Sequence, residues 1–174
     1  MSIRVKPLAA AFASTTLILS LFVGLLPRAA EAAPPAADPL VARGRYVVAT
    51  AGCNDCHTPG YAESGGTLPE KQWLQGSNVG FLGPWGVSYP SNLRLTLSSM
   101  TEGQWLLFAR APRLPPMPWF ALRDMSDDDL RAVFRYVRSL GASGERAPTP
   151  LAPGLPVKTP VIEFVPRSLT TARN

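Results

Sequence analysis

The residues best equipped for chemistry stand in one short run, Cys53-Asn-Asp-Cys56-His57. They are the two cysteines and the single histidine of the chain. A C-x-x-C-H run is the attachment signature of a c-type haem. The spacing has a mechanical reason. Two cysteines three residues apart project from one side of a helical turn, so both sulfurs reach the vinyl groups of one porphyrin. The next residue then lies under the ring and offers an imidazole nitrogen to the iron. Two other readings use the same residues. A redox dithiol needs a βαβ setting, whereas the segment before Cys53 reads as a helix. A plain disulfide in an exported protein would leave the histidine incidental. The position of the only histidine, directly after the second cysteine, favours haem over both.

The same counts restrict the remaining chemistry. A zinc site of four Cys and His ligands cannot be built from three residues. A Ser-His-Asp triad exists only if His57 serves it. With His57 as one axial ligand, bis-histidine ligation is excluded within one chain. Methionine is the usual partner in electron-carrying cytochromes c and raises the potential. Three methionines follow residue 32: Met100, Met117 and Met125. Met100 precedes the capping Thr101, with Trp105 at the fourth helical position, and Met125 stands in the same relation to Ser126 and Leu130. Both are hydrophobic staples, and Met commonly fills core gaps. Met117 sits in Leu114-Pro-Pro-Met-Pro-Trp119, where prolines fix φ on both sides. Such a loop can hold a thioether on the iron without regular structure; the plainer reading is a methionine in a proline-rich surface loop.

The expected site is therefore Cys53 and Cys56 on the porphyrin, with His57 and Met117 on the iron. Both axial positions are then filled and no substrate binds the metal, which describes a one-electron carrier rather than an enzyme. Such a carrier can still serve as the haem subunit of an oxidoreductase complex. A haem sensor or haem enzyme with an open distal position is the alternative, and a haem-free disulfide module is a third reading.

The elements that must position these residues follow from local signals. Met1 to Lys6 carries two positive charges, residues 8–26 carry none, and Ala30-x-Ala32 is the small-x-small pattern of signal-peptide cleavage. Residues 1–32 are read as a signal peptide, so the protein is expected in the periplasm. The competing reading is an uncleaved anchor, since residues 8–26 are just long enough to cross a bilayer. Cleavage removes Arg4, Lys6, Arg28 and Glu31, which takes the formal charge from +5 to +3. No basic run exceeds two residues, which argues against a nucleic-acid partner.

Residues 33–37 read as a loose leader. Asp38-Pro39 then reads as an N-cap and first helical residue, opening a helix that runs to about Ala51 and ends at Gly52. Residues 58–100 are rich in turn signals. Thr101-Glu-Gly-Gln104 is a capping box opening a helix over 102–110. Ser126-Asp-Asp-Asp129 reads as a second. It leads an apolar stripe of Leu130, Val133, Phe134, Val137 and Leu140 that stops at Gly141. Residues 142–174 hold six prolines and read as an extended tail along a domain spanning 38–141, with 161–165 its most adhesive part. The class is all-α, with three to four short helices around one covalently bound haem and a Pro-rich extended tail.

With these residues in hand, the chain resembles the class I cytochrome c domains of periplasmic electron carriers over about Asp38 to Gly141. The pieces that carry the likeness are Cys53-Asn-Asp-Cys-His57, Gly83-Pro-Trp-Gly-Val-Ser-Tyr-Pro-Ser-Asn92, Pro115-Pro-Met-Pro-Trp-Phe120 and the stretch Met125 to Tyr136. The likeness implies the cytochrome c fold, in which the first and last helices cross near one haem edge. Gly44 fits such a close approach, with Val48, Val133 and Tyr136 filling the crossing. It also implies periplasmic redox partners: a dehydrogenase donor and an oxidase or another cytochrome as acceptor. Trp85 and Tyr89 are the candidates to meet the haem propionates. The stretch from Asn92 to Thr101 is short compared with many relatives. On the last helix, Arg131, Arg135 and Arg138 form a stripe. It reads either as a solvated face, with Asp127 and Asp128 pairing with Arg131, or as a basic docking patch.

Overall fold

Asp38 opens the first helix as the sequence predicts, its side chain accepting from Leu40 N at 2.9 Å, with proline in the first turn. The computed structural model describes residues 38–166. The expected signal segment 1–32, the leader and residues 167–174 lie outside them. Helix α1 spans Pro39–Thr50 and α2 spans Cys53–His57. After a stretch of turns come two short antiparallel strands, β1 (Gly80–Gly83) and β2 (Gly86–Ser88), joined through Pro84 and Trp85. Helices α3 (Leu93–Ser98), α4 (Glu102–Arg110), α5 (Trp119–Asp124) and α6 (Asp127–Ser139) follow. Strand β3 (Val161–Glu163) pairs in parallel with β1, giving the order β2-β1-β3.

The caps explain the boundaries. Thr101 and Gln104 close the full reciprocal capping box at α4. At α6, Ser126 accepts from Asp129 N at 3.1 Å, which is one half of such a box. Three aspartates in the first turn of α6 complement its dipole. The all-α class holds, with six short helices among the described residues instead of three to four. The additional ones are α3 and α5, each of six residues, too short to display helical periodicity. Asn92 starts α3 by accepting from Leu95 N at 3.0 Å.

The core gathers where α1 crosses α6. Val47, Val48, Leu130, Val133, Phe134, Tyr136 and Val137 meet there, with Trp73, Leu74, Leu97, Trp105 and Ala109 around them. Gly44 sits at the crossing itself. A Cβ on it would lie 2.0 Å from Ala132 O and 2.7 Å from Tyr136 Cβ, so only glycine allows this approach.

The α6 arginines are engaged within the chain. Arg131 and Arg135 both pair with Glu102, at 2.7 and 2.8 Å, and Arg138 donates to the Leu97 and Ser98 carbonyls. Asp127 pairs with Arg110 at 2.6 Å instead of Arg131. The stripe thus fastens α6 to α4 and α3. No helix among the described residues is long and apolar enough to cross a membrane.

Candidate haem site

Gly52 separates α1 from α2. Its φ of +72° turns the chain directly from one helix into the next. Cys53, Cys56 and His57 then fall at i, i+3 and i+4 of α2, on one side of the turn. The turn is clamped from behind. Thr58 Oγ1 donates to Asn54 Oδ1 at 2.7 Å and accepts from Leu74 N at 2.8 Å, and Gly76 N donates to His57 O at 2.8 Å.

His57 is 8% exposed, and its Nδ1 lies 2.7 Å from the Ser91 carbonyl oxygen. A carbonyl only accepts, so Nδ1 carries the proton and Nε2 keeps its lone pair. Burial lowers the pKa of the imidazole, against a smaller opposing effect of the Ser91 hydrogen bond. The ring is thereby held neutral and oriented, the condition of a metal-ligating histidine. Burial, first among the causes, pushes the Cys53 thiol up to about 11 and raises Cys56 as well. A redox dithiol works through a lowered thiolate pKa. The two sulfurs are also not bonded to each other.

These three residues line a cavity of about 670 Å³, within the roughly 300–1,000 Å³ range of cofactor sites. The other walls include α3, α4, the 112–118 loop, α5, the 88–92 segment and tail residues 146–150, with Val48 and Val133 from the helix crossing. Most of the lining is apolar. The charged side chains on it are Arg113 and Arg146, and no Asp or Glu takes part.

Met117 lines the same cavity as Cys53, Cys56 and His57. Its loop is fastened on the N-terminal side of the methionine. Ser88 Oγ donates to Pro115 O at 2.5 Å, and the Arg113 guanidinium lies 4.0 Å from the Phe108 ring centroid while donating to Phe108 O. Met125 lines the cavity too and packs against the core, as its staple position predicts. Met100 is not among the lining residues. Of the two aromatic candidates, Tyr89 lines the cavity and its hydroxyl shares a 2.7 Å hydrogen bond with Thr159 Oγ1. Trp85 is outside the lining. It sits at the tip of the β1–β2 hairpin, donates to Phe81 O and packs on Phe164.

Several contributors carried no usable sequence signal. The Ser91 carbonyl belongs to the main chain. Asn92 and Arg94 are polar side chains, yet both are buried. Asn92 Nδ2 donates to Ser143 O and Glu145 O at 2.8 and 3.0 Å, and Arg94 donates to the carbonyls of Lys71, Leu140 and Gly141.

A neutral, oriented histidine, two adjacent cysteines and an apolar cavity of this size define a c-type haem protein. The chain belongs to the cytochrome c family, whose model, described as Cytochrome c, matches residues 41–141. A relative is the gluconate 2-dehydrogenase cytochrome c subunit of Pantoea cypripedii, 32% identical over 146 residues, covering 71% of this chain and 32% of that protein. The chain thus spans about a third of the length of this curated relative. No solved structure matches. The cofactor is covalent haem c with its iron, and the family's electron-transfer role comes with it. The residues present fit that group: thiols for attachment, a free imidazole nitrogen, and apolar walls.

Proposed function

We propose that the chain is a periplasmic one-electron carrier, or the electron-transfer subunit of a dehydrogenase chain, with His57 and Met117 as axial ligands and Cys53 and Cys56 as covalent anchors. The observation that carries the reading is the neutral His57, held by Ser91 O at 2.7 Å beside a cavity that Met117 also lines. When bound, haem c supplies a one-electron iron couple. The chain's own residues do the rest. Ser91 fixes the imidazole and strengthens it as a ligand. Pro116 and Pro118 stiffen the backbone on either side of Met117. The apolar walls exclude water from the ring.

The N-terminal pattern ending at Ala30-x-Ala32 supports export, with membrane attachment only if residues 8–26 remain uncleaved. The relative's name supports a dehydrogenase as donor; the acceptor is then an oxidase or another cytochrome. Optical and redox titration of the mature protein tests the reading. Met117→Ala should remove the sulfur-to-iron charge-transfer absorption at the red end of the oxidised spectrum and lower the potential. Met125→Ala should leave both in place. The reverse result transfers the ligand role to Met125. Rapid carbon monoxide binding by the reduced wild-type protein at neutral pH overturns the carrier and favours an open distal site.

A further inference from the structure

The family match ends at residue 141, yet the cavity does not. Residues 146–150 form part of its wall. The segment that brings them there is fastened along its length. Asn92 holds Ser143 and Glu145, Val87 and Leu151 exchange both backbone hydrogen bonds at 2.9 Å, Tyr89 meets Thr159, and β3 joins β1. Gly86 makes room for it, since a Cβ there would lie 2.0 Å from Leu151 O.

Arg146 stands apart from the other arginines. Among the described residues, each of the others donates a side-chain hydrogen bond to a carboxylate or a carbonyl. Arg146 has no such partner among them, is exposed, and still lines the cavity, which puts it at the opening. The other charged side chain there, Arg113, is committed to Phe108. An uncommitted guanidinium at the edge of a cavity without Asp or Glu suits a carboxylate, for which its planar fork supplies paired donors. The group this cavity takes carries carboxylates on its propionate arms.

We propose that the C-terminal segment is a working wall of the haem cavity and that Arg146 is the positioning residue for a haem propionate. The guanidinium holds that carboxylate ionised and offsets its negative charge, which otherwise favours the oxidised iron. The other titratable side chains on this lining are Cys53, Cys56, His57, Tyr89 and Arg113, and Glu145, the residue before Arg146, lines a neighbouring hollow together with it.

The test is a spectroelectrochemical titration of the full mature holoprotein over a pH series, comparing wild type, Arg146→Gln, Arg146→Lys and Lys158→Gln. Lys158 is an exposed cation on the same segment that does not line the cavity, so its loss changes the net charge equally. The expected result has two parts for Arg146→Gln. The midpoint potential in mildly alkaline buffer shifts downward, and the pH at which acidification begins to raise it moves upward. Arg146→Lys recovers part of both shifts, and Lys158→Gln produces neither. Identical profiles for Arg146→Gln and wild type, or equal shifts for Arg146→Gln and Lys158→Gln, overturn the proposal. The comparison is independent of the distal ligand, because failure of Met117 ligation is read from the wild-type spectrum alone.

Discussion

Gly44→Ala isolates the helix crossing beneath the site. The added Cβ would lie 2.0 Å from Ala132 O, 2.5 Å from Ala132 C and 2.7 Å from Tyr136 Cβ, where ordinary contact begins at 3.4 Å. No rotamer relieves a Cβ, and the struck atoms are mainly backbone, so the helices must part by about 1.4 Å. A gap of that order forfeits much of the dispersion between Val47, Val48, Val133, Tyr136 and Val137. Overpacking of this kind costs about 1–3 kcal/mol, and the rigid backbone places Gly44 at the upper end. Alanine's helix propensity returns about 1 kcal/mol. The net loss should be about 2 kcal/mol, or about 8 °C in Tm at roughly 4 °C per kcal/mol for a domain of this size. Thermal melts of the holoprotein by circular dichroism read it directly. Gly103→Ala on α4 is the control, because nothing lies within 4 Å of its Cβ; it should match or exceed wild type by about 0.5 kcal/mol. If Gly44→Ala also melts at or above wild type, propensity is the whole effect and the crossing is not tight.

Two further outcomes concern the polar supports. Glu70 accepts from Arg45 and from the Tyr136 hydroxyl, linking α1 to α6. Burial opposes its ionisation, but these hydrogen bonds outweigh it and hold the pKa below the ordinary 4.5. A depressed carboxyl stabilises the fold above its unfolded pKa and loses that contribution as pH falls through the folded value. Wild-type stability, read from urea melts over a pH series, should therefore decline as pH falls below about 4.5, and Glu70→Gln should show a shallower decline. Parallel declines would remove Glu70 from the account. Asn92→Ala removes the α3 cap and strips two tail carbonyls of their donor, a loss of about 2–3 kcal/mol. Limited proteolysis should then cut the tail near 143–150 faster than in wild type; unchanged protection would show that Asn92 does not anchor it.

What could be read from residues alone was what local signals encode. Asp38-Pro39, the Thr101–Gln104 box and the stripe behind Ser126 set α1, α4 and α6 through contacts within a few residues. The C-x-x-C-H run works the same way, since one helical turn arranges all three side chains. The sheet could not be read, because its strands are three or four residues long and β1 and β3 stand far apart in the chain. Nothing in 80–83 announces 161–163 as its partner. Arg94 could not be placed for a related reason. Its partners are three main-chain carbonyls, which no residue type announces, and burial lowers its pKa.

The deepest part of the site is a main-chain construction. Gly76 N donates to His57 O, Ser77 N donates to Pro90 O, and Ser91 O accepts from His57 Nδ1. The histidine is therefore held at its backbone and at its ring by one pair of adjacent segments, 74–77 and 90–93. Their closeness depends on Gly76, where a Cβ would lie 2.6 Å from Asn92 N and 2.9 Å from Pro90 O. Asn92, the residue after the one that orients the imidazole, holds the tail. A displacement of the tail thus acts on the residue bonded to Ser91, and a longer Nδ1–carbonyl bond weakens the imidazole as a ligand. The groups that orient the ring are backbone amides and carbonyls, which any residue type supplies. The lone histidine can be found in the sequence, and what aims it cannot.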